Sequence, residues 1–203
     1  MEPDDSSSGY WNHNTAFHRE ILRRCATTSG PVLDVGCGDG LLLSRLASTG
    51  RPVMGIEPDA TAAALARQRC ADLDHVTVRE STFDDVELTA SSFGFVTMVA
   101  TLHHMPTAPA LERCARLLQP GGRLYVLALT RLASRTDLAV AYAAIPRARI
   151  VGALRHESWP AGVPVTDPAQ TFSELRDEAR EALPGATTRR RPYYRCSLEW
   201  QKP

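Results

Sequence analysis

The chain has 203 residues, enough for one sizeable core and too few for two comfortable domains, so it reads as one domain over residues 1–203. Hydrophobic residues at 43% and charged residues at 23% are ordinary for a globular protein. Lys and Arg number 23 against 23 Asp and Glu, so no global field draws the chain toward nucleic acid or a membrane surface.

Residues 1–9 are polar and are expected to be disordered; they carry no signal-peptide pattern, and no apolar run in the chain approaches bilayer length. Residues 10–29 read as an N-terminal helical cap, with Asn14, Phe17, Ile21 and Cys25 on one helical stripe ended by Gly30. A strand–helix alternation follows. PVLDVG is a buried strand, GLLLSRLASTG a helix stopped by Gly50, and PVMGIE a second strand. Asp59 caps an Ala-rich helix running to about Ala71, HVTVRE is a third strand and FGFVTMVA a fourth. Thr107 opens a helix with Leu111, Cys114 and Leu118 that Pro120-Gly121-Gly122 stops, and RLYVLAL is the fifth strand.

The pattern loosens after Thr130. Residues 131–168 read as an insertion or lid with a helix near 134–145, and Thr171 with Glu174 forms a capping box for a helix carrying Phe172, Leu175, Ala179 and Leu183. At the tail Tyr194, Cys196, Leu198 and Trp200 alternate with Arg195, Ser197, Glu199 and Gln201, the signature of a half-buried strand. Parallel strands separated by amphipathic helices imply an α/β fold with three layers. The five cysteines form no CxxC, so they fit neither a disulfide framework nor a zinc site and point to a reducing cytoplasm; no His, Asp and Glu spacing suggests any other metal. Lys202 is the single lysine among the 23 basic residues, a bias that points to a GC-rich bacterial genome.

The segment Val32-Leu33-Asp34-Val35-Gly36-Cys37-Gly38-Asp39-Gly40 stands directly before a helix. Its glycines permit a tight strand-to-helix turn and close approach of a ligand to the backbone. Glu57 ends the next strand, where a carboxylate can accept both hydroxyls of a ribose. Together these features indicate a nucleoside-type ligand. Asp34, Asp39, Glu57 and Asp59, with no Lys or Arg from Val32 to Ser44, disfavour a pyrophosphate and suit a sulfonium with an ammonium group. The spacing is GxGxG rather than the dinucleotide GxGxxG.

VLDVGCGDG, VMGIEPD, FGFVTMVATLHHM and LLQPGGRLYVLAL resemble, in order and spacing, the motifs of class I S-adenosylmethionine-dependent methyltransferases, in the ubiquinone-biosynthesis-like small-molecule branch of bacteria. The resemblance covers roughly residues 30–130. It implies a Rossmann-like, seven-stranded, mostly parallel sheet with the last strand antiparallel. It also implies S-adenosylmethionine as cofactor, S-adenosylhomocysteine as product, and contacts from Asp34, Gly36, Cys37, Gly38, Gly40, Glu57, Pro58, Ser81, Thr82, Phe83 and Ala100. Two positions depart from the family: Ser81 stands where an acid is common, leaving the adenine amine to another group such as Asp84, and Gly94 stands where the family has the Asp of an FD pair.

Methyl transfer from a sulfonium requires alignment of a nucleophile and exclusion of water, and a base only where the acceptor must lose a proton. His13, His18 and His104 are candidates for that base. Tyr10, Trp11, Asn14, His18, His104 and Trp159 are candidates for acceptor contacts, with His103 and His156 nearby in sequence. Each has a plainer alternative, in a cap, a turn or packing on the sheet. Cys37 serves backbone proximity rather than thiol chemistry, and Arg189-Arg190-Arg191 reads as a solvated strand face. The function expected is methyl transfer to O, N or C of a small molecule in bacterial metabolism or natural-product tailoring, with no nucleic acid or membrane partner. The alternative is a protein that binds S-adenosylmethionine for other chemistry or regulation. A nicotinamide oxidoreductase is disfavoured by the acidic loop, and a nucleic-acid methyltransferase by the absence of a basic face and of NPPY or DPPY.

Overall fold

The computed structural model describes residues 10–133, 158, 168–193 and 195–203. Expectations placed on residues 1–9, on a helix near 134–145, and on His156, Trp159 and Tyr194 fall outside those residues. Strands β1 (Val32–Val35), β2 (Val53–Glu57), β3 (Val76–Glu80), β4 (Phe93–Val99), β5 (Leu118–Leu129), β6 (Thr187–Arg191) and β7 (Arg195–Gln201) form a seven-stranded sheet in the order β3-β2-β1-β4-β5-β7-β6. β7 pairs antiparallel with both β5 and β6, and the other pairings are parallel, as the family resemblance implies.

Helices α1 (His18–Cys25), α2 (Leu41–Leu46) and α3 (Ala60–Arg69) cover one face, and α4 (Thr107–Leu117) and α5 (Phe172–Ala182) cover the other. A central parallel strand must bury both faces, which is why every residue of β1 and all but the last of β4 are buried, mostly apolar side chains with Asp34 and Thr97 the polar exceptions. Val32, Val53, Phe95 and Leu127 meet Ile21, Leu43, Leu46 and Ala66 on the first face. Leu33, Ile56, Val96, Met98 and Val126 meet Leu111, Cys114, Phe172 and Leu175 on the second. Each fully buried Leu or Ile contributes about 1.5–3 kcal/mol.

The caps follow the sequence. Asp59 Oδ1 accepts from the Ala62 N–H at 2.8 Å, and Thr171 and Glu174 close a reciprocal capping box at the start of α5. Three features, two of them boundaries, differ from expectation. α1 stops at Cys25 rather than near Gly30, because the Thr27 and Thr28 hydroxyls and the Arg51 guanidinium take the last carbonyls of the helix. α4 ends at Leu117, and Leu118 already belongs to β5, which runs through Pro120-Gly121-Gly122 as an irregularity in its pairing with β4.

β7 is the third. It is buried on both faces over Arg195–Leu198 rather than half-buried, since Cys196 and Leu198 join the core under α5 while the N-terminal segment lies against Arg195. The arginine run is likewise only partly a solvated face. Arg190 lies 4.0 Å over the Phe172 ring, and Arg191 pairs with Glu20 and lies over Phe17.

Strand order reverses between β1 and β4, whose crossovers lead to opposite sides of the sheet. The crevice outside the carboxyl ends of these two strands is where open α/β sheets bind ligands. Among the described residues, no helix is long and apolar enough to cross a membrane.

Candidate cofactor site

At that crevice β1 ends in the glycine turn. The Gly36 and Cys37 N–H groups both donate to the Ile56 carbonyl, at 2.8 and 3.0 Å, tying the turn to β2. Gly36 abuts Thr101, which leaves no room for a Cβ, so the ends of β1 and β4 meet there. Gly38 has a φ of +56°, a left-handed conformation that glycine adopts without penalty, and a Cβ built on it would meet nothing within 4 Å. Its side faces open space, as a backbone that receives a ligand requires.

Glu57 is held in place by two main-chain donors. Its Oε2 accepts from the Gly38 N–H at 2.9 Å and its Oε1 from the Asp59 N–H at 3.1 Å. A carboxylate has about four acceptor sites, so two remain for hydroxyls of a ligand. Exposed Pro58 lies between the anchors, and the Ser81 N–H donates to the Glu57 carbonyl at 3.2 Å, bringing the end of β3 beside the end of β2.

Asp34 is 1% exposed, and its Oδ2 has no hydrogen-bond partner among the described residues. Burial, and secondarily the nearby Glu57 charge, raise its carboxyl to about 7. A buried acid with an unpaired oxygen at a ligand edge has the chemistry to receive a cationic group. Asp39 differs: Arg69 from α3 binds its Oδ2 at 2.7 Å and its carbonyl at 3.0 Å. The acidic character read from the loop therefore rests on Asp34 and Glu57, because Arg69, remote in sequence, neutralises Asp39.

Other predicted contacts separate. The Thr82 hydroxyl is committed to Asp85 at 2.6 Å, and Phe83 is a core residue with Arg113 over its ring, so its side chain does not line the crevice. Cys37 is buried, and burial, then the Asp34 and Glu57 charges, push its thiol up, so it is inert. Ala100 follows β4 with a φ of +53°, a conformation that costs a non-glycine residue about 1–3 kcal/mol and that collects at functional sites. Its N–H is held by the Leu127 carbonyl at 2.7 Å. The missing acid at Gly94 takes nothing from the site: Gly94 begins β4 at the opposite edge, where a Cβ would lie 1.5 Å from the Ser29 carbonyl oxygen.

The acceptor candidates also divide. Tyr10 Oη donates to Asp39 Oδ1 at 3.0 Å, placing it on the glycine loop. Trp11 and His13 join Tyr193 of the β6–β7 turn in an aromatic cluster, His13 stacked on Tyr193 at 4.6 Å. Asn14 Oδ1 accepts from Arg195 Nε at 2.9 Å. His104 is exposed after β4 and tilted against His103. His18 is not suited to be a base or an acceptor contact: it is 5% exposed, its Nδ1 faces the Arg45 guanidinium at 3.0 Å, and burial followed by the Arg45 charge lowers it to about 3. The sequence reading missed Arg69, Thr101, Tyr193 and Arg195. Only Tyr193, next to Pro192 between two strands, carried a local signal, that of a turn at the ligand edge. Among the described residues, no three His, Cys, Asp or Glu side chains gather as metal ligands would.

A doubly wound sheet with a glycine turn and an anchored acid at its switch point defines a nucleoside-binding α/β protein. Residues 33–126 match a family model described as a methyltransferase domain. An uncharacterised methyltransferase of Mycobacterium tuberculosis is 35% identical over 202 residues, 95% of this chain and 98% of that protein. A ubiquinone biosynthesis O-methyltransferase of Xanthomonas oryzae is 37% identical over 123 residues, 59% of this chain and 52% of that enzyme, so the similarity extends over about half of it. A crystal structure of a SAM-dependent methyltransferase from Aquifex aeolicus shares the fold at a TM-score of 0.63, with 17% identity over 91% of this chain and 88% of that one. The chain belongs to the class I S-adenosylmethionine-dependent methyltransferases.

Proposed function

We propose that the chain methylates an oxygen, nitrogen or carbon atom of a small molecule in the bacterial cytoplasm, in metabolism or natural-product tailoring, with neither nucleic acid nor membrane as partner. The observation that carries this reading is the course of residues 10–14, from Asp39 beyond β1 to Arg195 at the start of β7. In the strand order this path runs over the ends of β4 and β5, the edge where an acceptor would sit, which supports a small acceptor over a duplex. Arg131 bridges to Thr171 beyond β5, and the Ser158 N–H donates to the Trp11 carbonyl at 2.9 Å, so two further points of the chain meet this edge.

The cofactor supplies a methyl group already activated on a sulfonium. Glu57 would hold its ribose hydroxyls, Asp34 its ammonium, and the Gly36–Gly40 backbone its methionine portion, while the Ser81-Thr82-Phe83 backbone and Asp84 flank the adenine. Residues 10–14 would exclude water and help align the acceptor. Where the acceptor carries a proton, His104 or His13 would take it.

Glu57→Ala should weaken S-adenosylhomocysteine binding by about 1.5–3 kcal/mol, the worth of hydrogen bonds to a charged group. Unchanged affinity by calorimetry would remove Glu57 from the site. Asp34 adds a pH dependence. Its neutral form dominates below about 7 in the free protein, and a bound ammonium favours the carboxylate, so binding releases a proton and affinity should rise from pH 6 to pH 8. Asp34→Asn should flatten that profile, and a flat wild-type profile would refute the pairing. The function itself is tested by supplying methyl-labelled cofactor with a bacterial extract. Label should appear in acid-soluble small molecules, and label confined to nucleic acid would overturn the proposal.

A further inference from the structure

We propose that Tyr10 is a positioning residue that couples an N-terminal strap, residues 10–14, to the glycine loop, so that the strap tightens over the acceptor side when the cofactor is loaded. The inference rests on the cofactor reading of the loop. Tyr10 is bonded to the side chain standing between Gly38 and Gly40, whose own oxygens are fixed by the Arg69 guanidinium and, at 3.3 Å, by the Leu41 N–H. Asp39 is only 7% exposed, so the phenol reaches a nearly enclosed carboxylate rather than a surface one. Burial, and then the Asp39 charge, push the phenol up, so it remains a donor at any working pH.

The other end is as firmly tied. Asn14 holds Arg195, and Asn12 and Thr15 exchange hydrogen bonds, Asn12 Oδ1 accepting from the Asn14 and Thr15 N–H groups and Thr15 Oγ1 accepting from the Asn12 N–H. Between the ties the strap passes from β1 across β4 and β5 to β7. Residues 12–15 are closed into a hydrogen-bonded turn, with Asn14 already helical in its backbone, so the strap moves as a unit and a shift of the loop at Asp39 is carried to Trp11 and His13. Gly38, next to Asp39, gives its N–H to Glu57, so a ligand drawn onto Glu57 acts directly on the loop that Tyr10 grips.

The test is hydrogen exchange of the full chain with and without S-adenosylhomocysteine, in wild type and in Tyr10→Phe, which keeps the ring and removes the donor. In wild type the ligand should slow exchange at residues 11–17 about tenfold or more, the worth of a hydrogen bond to a charged acceptor. In Tyr10→Phe the ligand should still bind and protect the glycine loop, while protection of the strap falls away. Binding without slower exchange of the wild-type strap, or full protection retained in Tyr10→Phe, would overturn the coupling. No binding by the wild type would overturn the cofactor reading beneath it.

Discussion

Gly94→Ala is expected to destabilise the protein by about 3 kcal/mol or more, the upper end for overpacking a core, and to lower Tm by about 6 °C or more for a chain of this size. The new methyl carbon would lie 1.5 Å from the Ser29 carbonyl oxygen and 2.7 Å from its carbon. These are backbone atoms, so no side-chain rotation relieves the clash. The turn is also tied to the strand, since the Gly94 N–H donates to the Pro31 carbonyl at 2.8 Å, and separating them loosens β4 at the centre of the sheet. Because this contact lies at the edge opposite the cofactor, the fraction that remains folded should bind S-adenosylhomocysteine normally. A thermal midpoint within about 2 °C of wild type would show that the turn yields more cheaply than its contacts indicate.

Gly38→Val should have the opposite signature, with the fold retained and cofactor affinity lost by at least about a hundredfold, or roughly 3 kcal/mol. Nothing among the described residues meets a Cβ at this position, so the core is not disturbed. The loss has two causes. A β-branched residue is a conformational outlier at a φ of +56°, so the turn relaxes and withdraws the N–H that orients Glu57. The side chain also fills the space a ligand needs to reach the backbone. Calorimetry and thermal unfolding on the same sample separate these outcomes. Binding within tenfold of wild type by a folded Gly38→Val protein would put the ligand elsewhere.

These two glycines also mark how far the sequence could be read. Gly38 was legible because a glycine turn between an apolar strand and a helix, followed by an acid at the next strand end, is a local pattern with one geometry. The order of strands and helices was legible for the same reason, each element carrying its own period and caps. Gly94 looked like a missing carboxylate because its obstacle, Ser29, comes from a turn sixty-odd residues earlier. Asp39 looked like free negative charge because Arg69 reaches it from the far end of α3. His18 looked reactive until α2 brought Arg45 against its ring. Alternation at the tail predicted one wet face, yet the N-terminal segment lies against the start of β7, a partner from the far end of the chain. Periodicity reports what a segment does locally, and side-chain partners from other elements decide charge and access.

The most direct test of the central claim, that the β1–β4 crevice is the cofactor site, is a crystal structure of the chain grown with S-adenosylhomocysteine. The nucleoside is expected at the C-terminal edge, with its ribose hydroxyls on Glu57, its amino group toward Asp34 and its methionine portion along Gly36–Gly40. A second cleft of about 400 Å³ opens at the opposite edge, lined by Pro31, His75, Arg79, Glu87 and Phe93. Ligand found there, with the glycine turn and Glu57 empty, would contradict the account.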